Sequence, residues 1–285
     1  MLPNFFVIGA GQSGTTSLHR YLYLHPEIHV PVLKEPNFFC REEDGPWPFG
    51  RIGERSAYEL LYDTKLGLRG DCSPSYSQDP LRRGVPRRIA ELVPGARHIY
   101  LVRDPIERIL AHYVHDVSSS GEQRPLADAL GDLGDPENPY LVGSSYAHQL
   151  ERYREHFPED RILVVDSADL KDGRAAALRQ IFAFLGADPG FTSPGFEEEL
   201  NVGSAKRAHA PGYAGLRDSR IGDAWRRFPG AMRRPLSGAA RRAAAPKVER
   251  PALDQELRAA LAERLAPQAA RLRKMTGLAL SSWSV

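Results

Sequence analysis

Gly9-Ala10-Gly11-Gln12-Ser13-Gly14 follows the apolar run Phe5-Phe6-Val7-Ile8 and precedes Leu18, Tyr21 and Leu22 at helical spacing. A glycine loop between a strand and a helix turns backbone N–H groups toward one point at a helix N-terminus, and the chemistry it suits is the holding of a phosphate-like anion. Taken as G-x-G-x-x-G, the loop fits a dinucleotide fold and a flavin or nicotinamide enzyme, which asks for an acidic residue about 20 positions on. Glu35 stands at that distance, although Pro31 interrupts the strand that should carry it. Taken as G-x-x-x-x-G before Thr15-Thr16, the same residues fit a P-loop whose lysine position holds Thr15, with Thr16 and Asp166 as the groups that would face a magnesium ion.

The elements that position these residues are read from apolar spacing. Ile28-His29-Val30 is a short second strand. Arg97-His98-Ile99-Tyr100-Leu101-Val102 is a longer buried one that ends at Arg103. A helix runs from Ile106 to Val117 after Asp104-Pro105, another has Tyr146, Leu150, Tyr153 and Phe157 on one face, and the strand Arg161 to Asp166 follows. Helices over Ala175 to Leu185, closed by Gly186, and over Leu253 to Leu272, with Leu257, Leu261, Leu265 and Leu272 near one face, complete the pattern. Alternating strands and helices imply an α/β fold, a parallel sheet covered on both faces, as one domain spanning residues 1–285.

Of the 285 residues, 42% are hydrophobic and 26% charged, enough for a core and unlike a disordered chain, a collagen or a disulfide scaffold. The net charge of +2 does not mark a nucleic-acid binder. A basic stretch at 217–250, nine arginines and Lys247 against three acids, reads as a solvated surface or a lid over the substrate. Cys40 and Cys72 are expected to be reduced thiols, no apolar run reaches the roughly 20 residues of a membrane span, and the opening residues lack a basic leader, so a cytoplasmic protein is expected. Arginine over lysine, with abundant alanine, glycine and proline, fits a GC-rich bacterial genome.

In order along the chain stand Ser13-Gly14-Thr15-Thr16-Ser17-Leu18, His25-Pro26-Glu27-Ile28, Lys34-Glu35-Pro36-Asn37-Phe38-Phe39, Ser73-Pro74-Ser75-Tyr76, Arg103-Asp104-Pro105-Ile106-Glu107-Arg108, Gly143 with Tyr146, and Asn201-Val202-Gly203-Ser204 before Lys206-Arg207. This series resembles the sulfotransferases that use 3′-phosphoadenosine 5′-phosphosulfate, with heparan-type and related bacterial members nearest, from about residue 4 to the closing Leu280-Ser281-Ser282-Trp283. The resemblance implies a P-loop-like 5′-phosphosulfate-binding loop formed by Gln12, Ser13, Gly14, Thr15, Thr16 and Ser17. It implies a 3′-phosphate site at Arg103, closed by Lys206 and Arg207, and no metal. Glu35 is implied as general base, with Lys34 and Gln12 beside the transferring group and Asn37, Ser73 and Tyr76 lining the acceptor cleft. The acceptor implied is a hydroxyl or amine of a carbohydrate or small natural product.

The sequence departs from the family at two donor contacts: Gln12 replaces the loop lysine, and Ala111 replaces a serine eight positions after Arg103. Loss of the cation and of the hydroxyl is expected to cost about 1–2 and about 1 kcal/mol of donor binding, unless a group such as His112 compensates. Asn37 stands where a histidine is frequent. A flavin or nicotinamide oxidoreductase and a nucleotide-binding relative without turnover are the alternatives the sequence leaves open.

Overall fold

The computed structural model describes residues 1–45, 50–197 and 248–285. Five strands form one parallel sheet: β1 (Phe5–Gly9), β2 (Ile28–His29), β3 (Leu68–Cys72), β4 (Arg97–Val102) and β5 (Ile162–Asp166), in the order β2-β3-β1-β4-β5. Helices α1 (Thr15–Leu24), α2 (Arg55–Leu60), α3 (Val85–Leu92), α4 (Pro105–Ser119), α5 (Leu126–Leu130), α6 (Pro139–Val142), α7 (Tyr146–Arg154), α8 (Ser167–Asp172) and α9 (Arg174–Leu185) intervene, and a C-terminal helix spans Gln255–Thr276. The chain groups into two compact units. The first holds the sheet and takes residues 1–109, 130–200 and 253–285; the second includes residues 110–129.

Strand alternation divides the apolar side chains of the first unit into two cores, because successive residues of a strand face opposite sides. Phe6 and Ile8 of β1 share one core with Tyr100 and Val102 of β4, Tyr146, Leu150 and Tyr153 of α7, and Leu272 of the C-terminal helix. Phe5 and Val7 share the other with Ile99 and Leu101 of β4, Leu18 and Tyr21 of α1, and Leu178 and Phe182 of α9. The strands and helices expected from apolar spacing are present with shifted ends: α7 stops at Arg154, leaving Phe157 beyond it, and the C-terminal helix runs over Gln255–Thr276. β3 is the addition: Leu68-Arg69-Gly70-Asp71-Cys72 carries two charged residues and lacks an apolar run, yet it pairs with β1 at Phe5↔Gly70 and Val7↔Cys72. Gly70 is required there, because a Cβ would overlap the Phe5 ring.

β1 is flanked by β3 on one side and β4 on the other, so the chain crosses the sheet next to it. Loops after these strands therefore meet at the carboxyl edge, where open α/β sheets gather ligands. The same order removes the dinucleotide reading's acid: β2 lies at the sheet edge with β3 between it and β1, so a residue following β2 does not flank the glycine loop as a ribose carboxylate requires.

Candidate active site

The glycine loop leaves β1 at Gly9, whose φ is 154° and at which a Cβ would overlap Ser77 Oγ and lie 3.2 Å from the Tyr100 ring. Gln12 follows with φ 69°, and Gly14, in the left-handed conformation at φ 89°, caps α1. No side chain caps that helix and its first turn holds no acid, so the N–H groups of its opening residues keep their capacity for an external anion. Thr15 is buried, Thr16 and Ser17 are half-buried, and Ser13 is buried with its hydroxyl beside that of Tyr146. Burial pushes the Tyr146 phenol up to about 12, while Arg108, Arg103 and Ser13 pull it the other way.

Arg103 stands at the end of β4. Its Nη1 donates to the Gln12 carbonyl at 3.1 Å, and its Nη2 lies 3.6 Å from Glu107 Oε2. The guanidinium is therefore fixed against the glycine loop while about a third of its side chain stays exposed. Asp104 next to it caps α4 by accepting the Glu107 N–H at 2.9 Å and also accepts the Ser284 N–H. Asp166, the residue a magnesium-dependent P-loop would use, has both oxygens engaged: one accepts from Ala168 N at 3.1 Å, the other from Trp283 Nε1 at 3.0 Å. Among the described residues no group of His, Cys, Asp and Glu is arranged to hold a metal ion.

Lys34 and Glu35 form an ion pair between Nζ and Oε1, with side chains 19% and 31% exposed. Their loop is tied to the end of β3. Ser73 Oγ accepts the Asn37 N–H at 3.2 Å, Tyr76 Oη accepts the Phe39 N–H at 3.4 Å, and Asn37 bridges Ser75 Oγ and the Glu35 carbonyl, the latter at 2.9 Å. Glu35 and Asn37 both take left-handed backbone, φ 63° and 53°, so the loop turns sharply twice around Pro36. Since the turn Pro74–Ser77 also packs on Gly9, the Glu35 loop and the glycine loop are joined through it.

The residues expected to line an acceptor cleft are used differently. Ser73 and Tyr76 are at most 1% exposed and Asn37 is 5% exposed, and their polar atoms are spent on the protein itself. Sequence reasoning passed over the group that organises them. Asp71 of β3 is wholly buried and accepts Ser73 Oγ at 2.7 Å on one oxygen and the hydroxyls of Tyr58 and Tyr76, at 2.6 and 2.8 Å, on the other. Burial pushes its carboxyl up to about 6 against these hydrogen bonds, and the nearby Glu35 charge pushes the same way. A lone acid between a glycine and a cysteine, with no apolar run around it, gives no pattern from which this is read.

Cys40 and Cys72 are both free and buried, and burial pushes the Cys40 thiol up to about 12 and the Cys72 thiol higher still. Ala111 lies on α4, and His112, suggested as its compensation, is 3.6 Å from Asp116. Lys206, Arg207 and all but the last residues of the basic stretch 217–250 lie outside the described residues. No helix among the described residues is long and apolar enough to cross a membrane.

Residues 78–193 match the sulfotransferase family. The chain is 27% identical over 214 residues to the bifunctional heparan sulfate N-deacetylase/N-sulfotransferase 2 of Homo sapiens, covering 66% of this chain and 22% of that protein. It is 29% identical over 191 residues to the heparan sulfate glucosamine 3-O-sulfotransferase 3B1 of Mus musculus, covering 65% of this chain and 46% of that one. The chain thus spans less than half the length of these relatives. The crystal structure of a sulfotransferase from Alicyclobacillus acidocaldarius superimposes over the whole of both chains with a TM-score of 0.72 at 24% identity and has the same fold.

Proposed function

We propose that the chain acts as a sulfotransferase, like the family and the relatives it matches, and that it moves a sulfuryl group from 3′-phosphoadenosine 5′-phosphosulfate to a hydroxyl or amine of a carbohydrate or small natural product. The observation that carries the reading is the guanidinium of Arg103 held against the glycine loop beside an α1 N-terminus that is uncapped by side chains and free of acid. That juxtaposition suits a nucleotide bearing phosphates at two positions: the loop N–H groups with the Thr15 and Thr16 hydroxyls take the 5′-phosphosulfate, and Arg103, as a planar fork, takes the 3′-phosphate.

In the transfer, the acceptor oxygen or nitrogen attacks sulfur, the bond from sulfur to the bridging phosphate oxygen breaks, and adenosine 3′,5′-bisphosphate leaves. The acceptor proton passes to Glu35. Negative charge that develops on the bridging oxygen is met by loop N–H groups and, with no lysine at Gln12, by the Lys34 ammonium when it turns from Glu35 toward the donor. Because the relatives are named for heparan sulfate, carbohydrate acceptors are the first to try.

The test has two arms. Adenosine 3′,5′-bisphosphate at a hundred times its Kd stabilises the fold by about 2.7 kcal/mol in a melting curve, and ATP, NAD and FAD at the same concentration do much less. Arg103→Ala removes most of that shift. Acceptors incubated with donor and enzyme gain the mass of one sulfuryl group, and Glu35→Gln cuts this turnover about a hundredfold or more with the bisphosphate shift retained. Equal stabilisation by FAD and the bisphosphate, or full activity in Glu35→Gln, overturns the assignment concerned.

A further inference from the structure

Asp71 is wholly buried, yet two of its three hydrogen bonds lead on to the segment that carries Glu35. An ionised carboxylate only accepts, so the hydroxyls of Ser73, Tyr58 and Tyr76 must all point their protons at it. That leaves the lone pairs of Ser73 Oγ and Tyr76 Oη turned outward, where they meet the N–H groups of Asn37 at 3.2 Å and Phe39 at 3.4 Å. Asn37, so held, takes the Ser75 hydroxyl on its side-chain oxygen and returns its amide to the Glu35 carbonyl at 2.9 Å. The left-handed backbone at Glu35 and Asn37 is costly for residues with side chains, and it persists where surrounding bonds over-determine it.

We propose that Asp71 is a positioning residue that, through the Ser73 and Tyr76 hydroxyls and Asn37, holds the Glu35 loop in the conformation that presents Glu35 to the acceptor. This rests on the reading of Glu35 as the base given above. Asp71 acts on no reacting atom itself. It orients two hydroxyls, which fix two backbone amides, which fix the turn. A carboxylate is suited to the place because no neutral side chain of its size compels all three hydroxyls to donate inward. A purely structural role predicts a loss of stability from its removal; the positioning role also predicts a loss of turnover in variants that remain folded and bind nucleotide normally.

The experiment uses the full chain and three variants. Ser73→Ala breaks the relay to Asn37 while leaving Asp71 its two tyrosine hydroxyls, Ser73→Thr keeps the hydroxyl, and Asp71→Asn replaces one acceptor by a donor. Hydrogen exchange followed by mass spectrometry reads the 34–40 segment, adenosine 3′,5′-bisphosphate titration reads the nucleotide site, and sulfuryl transfer reads kcat. In Ser73→Ala the amides of Asn37, Phe38 and Phe39 exchange about tenfold faster or more. Its kcat falls about tenfold to a hundredfold while the bisphosphate Kd stays within about twofold. Asp71→Asn does the same, and Ser73→Thr returns both readings toward those of the natural chain.

Unchanged exchange in Ser73→Ala overturns the relay, and faster exchange with undiminished kcat overturns its bearing on the reaction. Should Asp71→Asn fail to fold, Ser73→Ala alone decides. A natural chain that binds the bisphosphate but transfers no sulfuryl group to any acceptor overturns the function reading instead, a result seen without any variant, while the exchange arm still decides whether Asp71 holds the loop.

Discussion

Replacing Asp71 by asparagine across a pH series measures what it costs to keep a carboxylate in the core. Burial is the first cause of its raised pKa, opposed by the hydroxyls of Tyr58, Ser73 and Tyr76, and the balance leaves it at about 6 against an ordinary value of 3.8. A carboxyl with a higher pKa folded than unfolded binds its proton more tightly in the native state. Its favourable contribution is complete below about pH 4 and is lost as pH rises through about 6. Two pKa units correspond to about 3 kcal/mol. Asparagine does not titrate, so the difference in unfolding free energy between natural chain and variant, taken from urea curves at intervals from about pH 4 to about pH 7.5, removes every group the two share. Relative to Asp71→Asn, the natural chain should lose about 3 kcal/mol over that window, most of it between about pH 4 and about pH 6. A flat difference, or one that favours the natural chain as pH rises, would refute the argument that desolvation outweighs three donated hydroxyls. Adding Glu35→Gln removes a negative neighbour that raises the Asp71 pKa, so the midpoint should move to lower pH. A midpoint that stays put means that Glu35 does not face Asp71.

Gly9→Ala forces a Cβ into Ser77 Oγ at a φ of 154°, and is expected to cost about 2 kcal/mol or more in urea unfolding and to abolish the bisphosphate-induced rise in Tm. Trp283→Phe keeps the ring packing but takes the indole donor from Asp166, which should lower stability by about 1–3 kcal/mol, read from the same denaturation curves. Lys34→Ala should be severe in the natural background and milder once Gln12→Lys is installed, with a coupling energy of about 1 kcal/mol or more in kcat/KM; additive effects would mean that Lys34 does not stand in for the missing loop lysine.

What was legible in the sequence depended on whether a residue's environment is local. The glycine loop, β4 with Arg103 following it, and the α7 face of Tyr146, Leu150 and Tyr153 are local patterns, and each sits where spacing placed it. β3 was not legible, because its two charges are made tolerable by partners far along the chain: Asp71 by Tyr58 and Tyr76, Arg69 by the carbonyls of Leu2 and Leu66. Its glycine answers to the Phe5 ring, a contact only the pairing of β3 with β1 creates. Ser73 and Tyr76 stand within a recognisable motif, but which way their hydroxyls point is decided by Asp71. A motif names residues without saying whether they serve substrate or scaffold. The anchoring of Trp283 and Ser284 on Asp166 and Asp104 is equally non-local.

The place of β1 in the sheet bears on how the chain is made. It precedes in sequence both strands it pairs with, and neither can reach it until a crossover has been completed, since both pairings are parallel. During synthesis the segment Phe5-Phe6-Val7-Ile8, apolar on both faces, therefore waits unpaired until β3 and then β4 have left the ribosome. Sheets assembled from such distant partners form slowly, and an open apolar strand is a template for other chains in the meantime. The yield of soluble protein should thus respond more to slower translation, lower temperature and chaperone supply than to substitutions that raise the stability of the finished fold.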